Sequence, residues 1–170
     1  MIRPLSNEYA PHYGKYIDLV QEGDFLSRLD ENTSETFDFF KNIAISKHEY
    51  FYAECKWTIK DVLLHIIDTE RGFSYRAIMC VRGDDETPLF GMNEDLFATN
   101  TDTSIRTMEN LLEEFLAVRQ SFRLIFSTNP EEKFALWGNN TGHKITARAL
   151  GYLGIGHTLH HTNIVKERYL

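Results

Sequence analysis

At 170 residues the chain is the size of one domain and can bury enough apolar surface to fold around a single core, so neither a metal nor a disulfide is needed to hold it together. Its 25 acidic and 18 basic side chains leave a net charge of −7 with the signs interspersed, which opposes nucleic-acid phosphate and lacks the basic stripe such binding needs. An apolar fraction of 42% with 25% charged residues is ordinary for a soluble globular protein and excludes a disordered chain. The opening "MIRPLSNEYA" has no signal-peptide pattern, and no apolar run approaches the roughly 18 residues of a membrane span, so the expected location is the cytoplasm. Cys55 and Cys80 do not form a C-x-x-C motif and are expected to be reduced, buried bystanders.

The chain reads as all-α, a single helical bundle preceded by a Tyr-rich arm over residues 1–23. Asp24 is a natural cap for a first helix whose Leu26, Leu29, Phe37, Phe40 and Ile43 share one face. "EYFYAECKW" alternates like a strand, but a lone strand in a helical domain has no partner, so it is expected to be an extended connection. The second helix is expected to begin at Thr58, with Asp61 completing a short-acid capping box and Trp57 covering the first turn. Val62, His65, Ile66, Thr69, Phe73, Ala77 and Cys80 recur at helical steps, which sets His65 in the inward stripe, and Gly83 is the stop signal. "DDETPLFGMNEDLFATNTDTS" is then a long crossover, a connection that permits parallel neighbours in a bundle.

A third helix is expected from Thr103 to Ser127, with Ile105, Met108, Leu112, Phe115, Phe122 and Ile125 inward. "NPEEKFALWGNNTGHK" breaks it and leads into a fourth helix over residues 145–169. No convincing strand is expected anywhere. The fourth helix carries "GIGHTLHHTN", in which three of the chain's seven histidines interrupt the inward stripe Leu150, Leu153, His157, His160 or His161, Ile164. His157 and His161 stand about 40° apart and one turn apart, so their rings can converge on one ion. His160, at i+3, is a geometric alternative. The absence of a Glu inside this H-x-x-x-H removes the metalloprotease reading. Gly151, Gly154 and Gly156 each cost roughly 1 kcal/mol in a helix, which close approach by a neighbouring element would offset.

An isolated H-x-x-x-H is also consistent with solvated histidines. His65, interior on another helix, offers a third imidazole, and three histidines leave a catalytic ion one open position. His12, His48 and His143 have no such partners and read as surface or loop residues. Asp68 and Glu70 follow His65 by less than two turns; they read first as surface partners of Arg71, with Asp68 the better placed of the two to orient an imidazole.

The segments "KWTIKDVLLHIIDTERGFSYRAI", "RGDDETPLFGMNED" and "ALGYLGIGHTLHHTNIVKERYL" closely resemble DinB-like proteins, helical bundles related to small-thiol-dependent transferases. The combination of W-[ST]-x-x-[DE]-x-x-x-H with a C-terminal H-x-x-x-H carries the resemblance, which covers nearly everything from Asp24 onward. It implies a four-helix bundle with up-down-down-up connectivity and a divalent metal, nickel or zinc, held by His65, His157 and His161. It further implies an S-transferase that activates a low-molecular-weight thiol as metal-bound thiolate toward an electrophile, working as a homodimer. The alternative is a non-catalytic metal-binding bundle acting in sensing, stress response or partner binding.

Overall fold

A computed structural model describes residues 1–140 and 142–170. The arm carries a 3-10 turn, Pro11–Tyr13, and one short helix, α1, Gly14–Ile17. The bundle is built from α2 (Phe25–Lys41), α3 (Ile59–Val81), α5 (Met108–Thr128) and α6 (Ala147–Arg168), with a short helix α4 (Glu94–Thr99) inside the crossover. Strands β1 (Trp137–Asn140) and β2 (His143–Thr146) form an antiparallel hairpin before α6.

Local chemistry sets the helix starts. The Asp24 carboxylate accepts from the Ser27 N–H at 2.9 Å, and Thr107 and Thr146 do the same for Asn110 and Ala149 at 3.1 and 3.2 Å. At α3 the capping box is complete: the Asp61 N–H donates to Thr58 Oγ1 at 3.1 Å and the Thr58 N–H to Asp61 Oδ2 at 2.9 Å. Each such cap typically contributes about 1 kcal/mol. Gly83 ends the run with φ of +82°, its N–H donating to Cys80 O at 2.9 Å, a backbone conformation that glycine adopts without steric cost.

Contacts between the helices fix their relative directions. Lys60 Nζ donates to Arg106 O at one end and Arg82 Nη1 to Asn129 Oδ1 at the other, so α3 and α5 run parallel. Phe25 packs on Tyr152, and the Lys166 ammonium lies over the Phe39 ring, so α2 and α6 also run parallel. Arg123 pairs with Asp30, and the Tyr169 hydroxyl donates to Trp57 O while Cys80 Sγ approaches Ile145 O, so the two helix pairs oppose each other. Around the bundle the order of neighbours is α2, α5, α3, α6. Two consecutive parallel helices require a connection that runs back along the 23 residues of α3, about 34 Å at the helical rise. Residues 82–107 supply it.

Two apolar clusters fill the bundle. One is built around Phe25, Phe122, Phe126 and Leu153, the other around Phe40, Ile66, Leu112 and Phe115. A tight approach joins the arm to α6: a Cβ on Gly156 would lie 2.1 Å from the Tyr16 carbonyl oxygen. The expectation that these helical glycines serve close contact therefore describes the packing.

Three details differ from the sequence reading. The third bundle helix starts at Met108, because Thr107 caps it and Thr103–Ile105 form a separate 3-10 turn, leaving Ile105 82% exposed. The stretch before α6 contains the hairpin, whose edge is extended by the crossover through Leu89 N–H donating to Asn139 O at 2.7 Å. That partner is 50 residues upstream and invisible to local periodicity. A Cβ on Gly138 would sit 2.7 Å from Cys80 Sγ, so only glycine lets the hairpin lie on α3. Cys80 is buried as expected, but Cys55 is exposed on the connection before α3. Among the described residues no helix is long and apolar enough to cross a membrane.

Candidate metal centre

The antiparallel contact of α3 with α6 brings His65 against His157 and His161. Their ring centroids stand 5.0 Å (His65 to His157), 4.7 Å (His65 to His161) and 4.4 Å (His157 to His161) apart. One nitrogen from each ring lies within 4.8 Å of the other two, and the Nε2 atoms of His65 and His157 are 3.1 Å apart. Metal–nitrogen bonds of about 2.0–2.1 Å in a tetrahedral site place ligand nitrogens roughly 3.3 Å from one another. The triangle of imidazoles is therefore of a size that one divalent ion can close.

His157 is buried, while His65 and His161 are half-buried. Burial lowers the basicity of all three: His65 is held down to about 4 and His161 to about 3, and His157 lies well below its ordinary value. Positive charge on neighbouring histidines and on Lys15 adds to the effect for the two α6 residues. Neutral imidazole is the form that ligates. The site thus presents three deprotonated nitrogens throughout the neutral range.

Aromatic rings wall the centre. Trp57 lies 4.8 Å from His65, Phe73 stands edge-on to His157 at 5.9 Å, and Tyr16 approaches His157 at 5.6 Å. Trp57, at N′ of α3, reaches past the first turn to lie against His65 in the second. His160 points elsewhere: its ring packs edge-on against Tyr16 at 5.1 Å and is not part of the three-histidine group. It is the i, i+4 residue, His161, whose ring the fold brings to His65 and His157. His12 and His143 are exposed and His48 is half-buried with its ring nitrogen on Ile43 O, away from this centre.

The acidic pair after His65 divides. Asp68 bonds Arg71 at 3.1 Å, a surface pairing, and does not reach an imidazole. Glu70 is not a surface residue: it is 2% exposed, with Arg119 Nη2 at 2.8 Å from its Oε2. Arg119 also donates to Asn32 Oδ1 and Thr158 Oγ1, both at 2.9 Å, so one residue from each bundle helix meets in a polar layer between the two apolar clusters. The Glu70–Arg119 pair is close without being aligned, because neither carboxylate oxygen accepts a directed hydrogen bond. The sequence signal for this layer was Arg119, which falls between Phe115 and Phe122 in the inward stripe of α5.

Comparison with known proteins agrees with this architecture. The profile of the DinB superfamily matches residues 28–165. Among solved structures, YfiT from Bacillus subtilis, described as a probable metal-dependent hydrolase with an unusual four-helix bundle topology, superposes with a TM-score of 0.72 at 17% identity, covering 98% of this chain and 90% of its own. A DinB-like protein from Bacillus subtilis, YjoA, superposes with a TM-score of 0.59 at 19% identity, covering 85% of this chain and 87% of its own. No curated protein matches the chain.

Proposed function

The chain belongs to the DinB superfamily, and from that premise we propose that His65, His157 and His161 hold a divalent metal ion, nickel or zinc, in a cytoplasmic enzyme that transfers a low-molecular-weight thiol to an electrophile. The observation that carries the reading is the triangle of neutral, converging imidazoles. Nothing else in the fold requires it, since the bundle has two apolar clusters of its own and no need of a structural ion. Three histidines with no fourth protein ligand among the described residues fit an open, catalytic position better than a closed structural one.

When bound, the ion supplies positive charge that favours thiolate over thiol near neutral pH. The chain's own residues prepare the place for that chemistry. Trp57, Phe73 and Tyr16 pack against the imidazoles, and burial keeps the imidazoles from taking up the proton that the thiol releases. In the reaction the S–H proton passes to solvent water, a bond forms from sulfur to the electrophilic carbon, and the leaving group departs with the electron pair of the bond that breaks. The reacting sulfur is external. Cys80 is buried and its thiol is pushed up to about 12 by burial, and Cys55 lies on the loop before α3, outside the histidine group. The family resemblance supports a homodimer as the working form.

A second reading, hydrolysis, is favoured by the description of YfiT, and the same assay separates the two. Metal-free, reconstituted and Cys55→Ala/Cys80→Ala proteins are incubated with bacillithiol, mycothiol or glutathione against a panel of electrophiles and simple esters. Thiol conjugation that requires the ion and survives loss of both cysteines is the expected result. Ester cleavage without any thiol supports the hydrolase, and activity indifferent to the ion overturns both.

A further inference from the structure

The N-terminal arm reaches the histidine centre. α1 is seated on α6 at the turn that bears His157, where the space a Cβ on Gly156 would need is taken by the Tyr16 backbone. A side chain at position 156 would push the arm away, so the glycine beside His157 couples the placement of α1 to that of a candidate ligand. With α1 held there, the Tyr16 ring lies against two α6 histidines, 5.6 Å from His157 and edge-on to His160 at 5.1 Å.

The side chain next to Tyr16 is a cation. Lys15 is exposed, its ammonium stands 4.7 Å from the centre of the Tyr16 ring, and it pairs with no carboxylate among the described residues. An aromatic face attracts an ammonium without neutralising it. The charge is felt at the centre: Lys15 helps to lower the basicity of His157, His160 and His161. The acid on this face, Glu167, bears on His160, whereas the charged neighbours of His157 and His161 are Lys15 and the other histidines.

We propose that Lys15 is a specificity-determining residue of the centre: it receives a negatively charged group carried by the small thiol whose sulfur takes the ion's open position, and Tyr16 is the platform that steadies the ammonium. The inference rests on reading the histidines as a metal centre that binds a thiol, and it adds the charge of that thiol. The imidazoles are neutral, so Lys15 is the fixed positive charge on this face, and an anionic group on the thiol is drawn toward it. Because the ammonium is exposed to water, its contribution is selection among thiols rather than tight binding. An uncharged thiol binds without it, and a cationic thiol is disfavoured by like charge.

Cobalt(II) serves as the probe ion, because a thiolate bound to it produces a charge-transfer band. Cobalt-loaded protein is titrated at low ionic strength, where exposed charges are least screened, with 2-mercaptoethanesulfonate, 2-mercaptoethanol and thiocholine, which share the same thiol arm and differ in terminal charge. Lys15→Gln is expected to weaken the sulfonate about threefold, leave mercaptoethanol unchanged and strengthen thiocholine, with the cobalt content unaltered. Lys15→Arg and Tyr16→Phe are expected to keep the preference of the parent, and Tyr16→Leu to lose part of it. An unchanged preference in Lys15→Gln, or equal weakening of all three thiols as a merely structural role of the arm would give, overturns the proposal. Bound cobalt with thiol bands that ignore Lys15 removes this inference alone. Bound cobalt without any thiol band removes the thiol reading and this inference with it, and a protein that binds no cobalt removes the metal reading on which both stand.

Discussion

Two polar centres interrupt the apolar core of this bundle, and they are built on opposite principles. The histidine triangle sits where α3 meets α6, is half open to solvent, and consists of three bases that burial keeps neutral. The Glu70–Arg119 layer sits among all four helices, is closed, and consists of a buried carboxylate and guanidinium held close together, the guanidinium donating to Asn32 and Thr158. A closed pair with no route to solvent offers a ligand no access; its natural role is to fix which helices meet at that level. Three uncharged donors with a route to solvent have capacity to spare. The difference separates a layer that fixes the packing from the proposed metal site within one core.

The largest effect expected from breaking this comparison is at the closed centre. Glu70→Ala strands the Arg119 guanidinium in the core and is expected to cost about 3–5 kcal/mol, read as a fall in the denaturant midpoint, whereas the paired change Glu70→Met/Arg119→Leu is expected to recover most of it. Equal damage from the single and the double variant would contradict the reading of the layer as a charge pair. Gly156→Ala comes next: its Cβ meets the Tyr16 carbonyl, and overpacking of that kind costs about 1–3 kcal/mol. Loss of the arm's packing should be seen there as faster amide exchange over residues 11–18.

The two centres also respond to acid with opposite signs. For the histidines the folded-state values lie below the ordinary 6.5, so below pH 6.5 the unfolded chain binds protons that the metal-free folded protein does not, and stability falls with pH down to about pH 4. The expected slope is roughly 1 kcal/mol per pH unit for each buried imidazole. Glu70 acts the other way: burial pushes its carboxyl up to about 7 against the pull of Arg119, so between about pH 7 and 4.5 the folded state binds the extra proton and gains stability as pH falls. Three histidines outweigh one glutamate. Thermal melts of metal-free protein should show net acid destabilisation, made steeper in Glu70→Gln and flatter when the three histidines are replaced.

These particular residues also show how far the sequence could be read. The starts of α2 and α3 were legible because Asp24, Thr58 and their partners act within one turn, and the meeting of His65, His157 and His161 was legible because two helical spacings suffice to orient them once the helices are known to meet. What local pattern could not supply was the partner in space. The hairpin over 137–146 depends on Leu89 and on the surface of α3, and Ile105 kept the helical period while lying outside the helix. Glu70 had an ordinary surface sequence context, its burial being decided by Arg119 on a helix 49 positions on. The choice between His160 and His161 followed the same logic: spacing left both open, and the position of α3 excluded one.

The smallest expected effect is therefore at His160, which shares the α6 face with His157 and His161 but packs on Tyr16; His160→Ala is expected to leave ion binding nearly unchanged. That variant is the internal control for the measurement that tests the account most directly: ion stoichiometry, by elemental analysis, of protein purified without a nickel column and equilibrated with zinc or nickel, for His65→Ala, His157→Ala, His161→Ala and His160→Ala. The account predicts near-complete occupancy in the parent and in His160→Ala, with loss of the ion in each of the other three while circular dichroism keeps its helical signal. Full occupancy in His161→Ala together with loss in His160→Ala, or no ion bound by the parent protein, would contradict it.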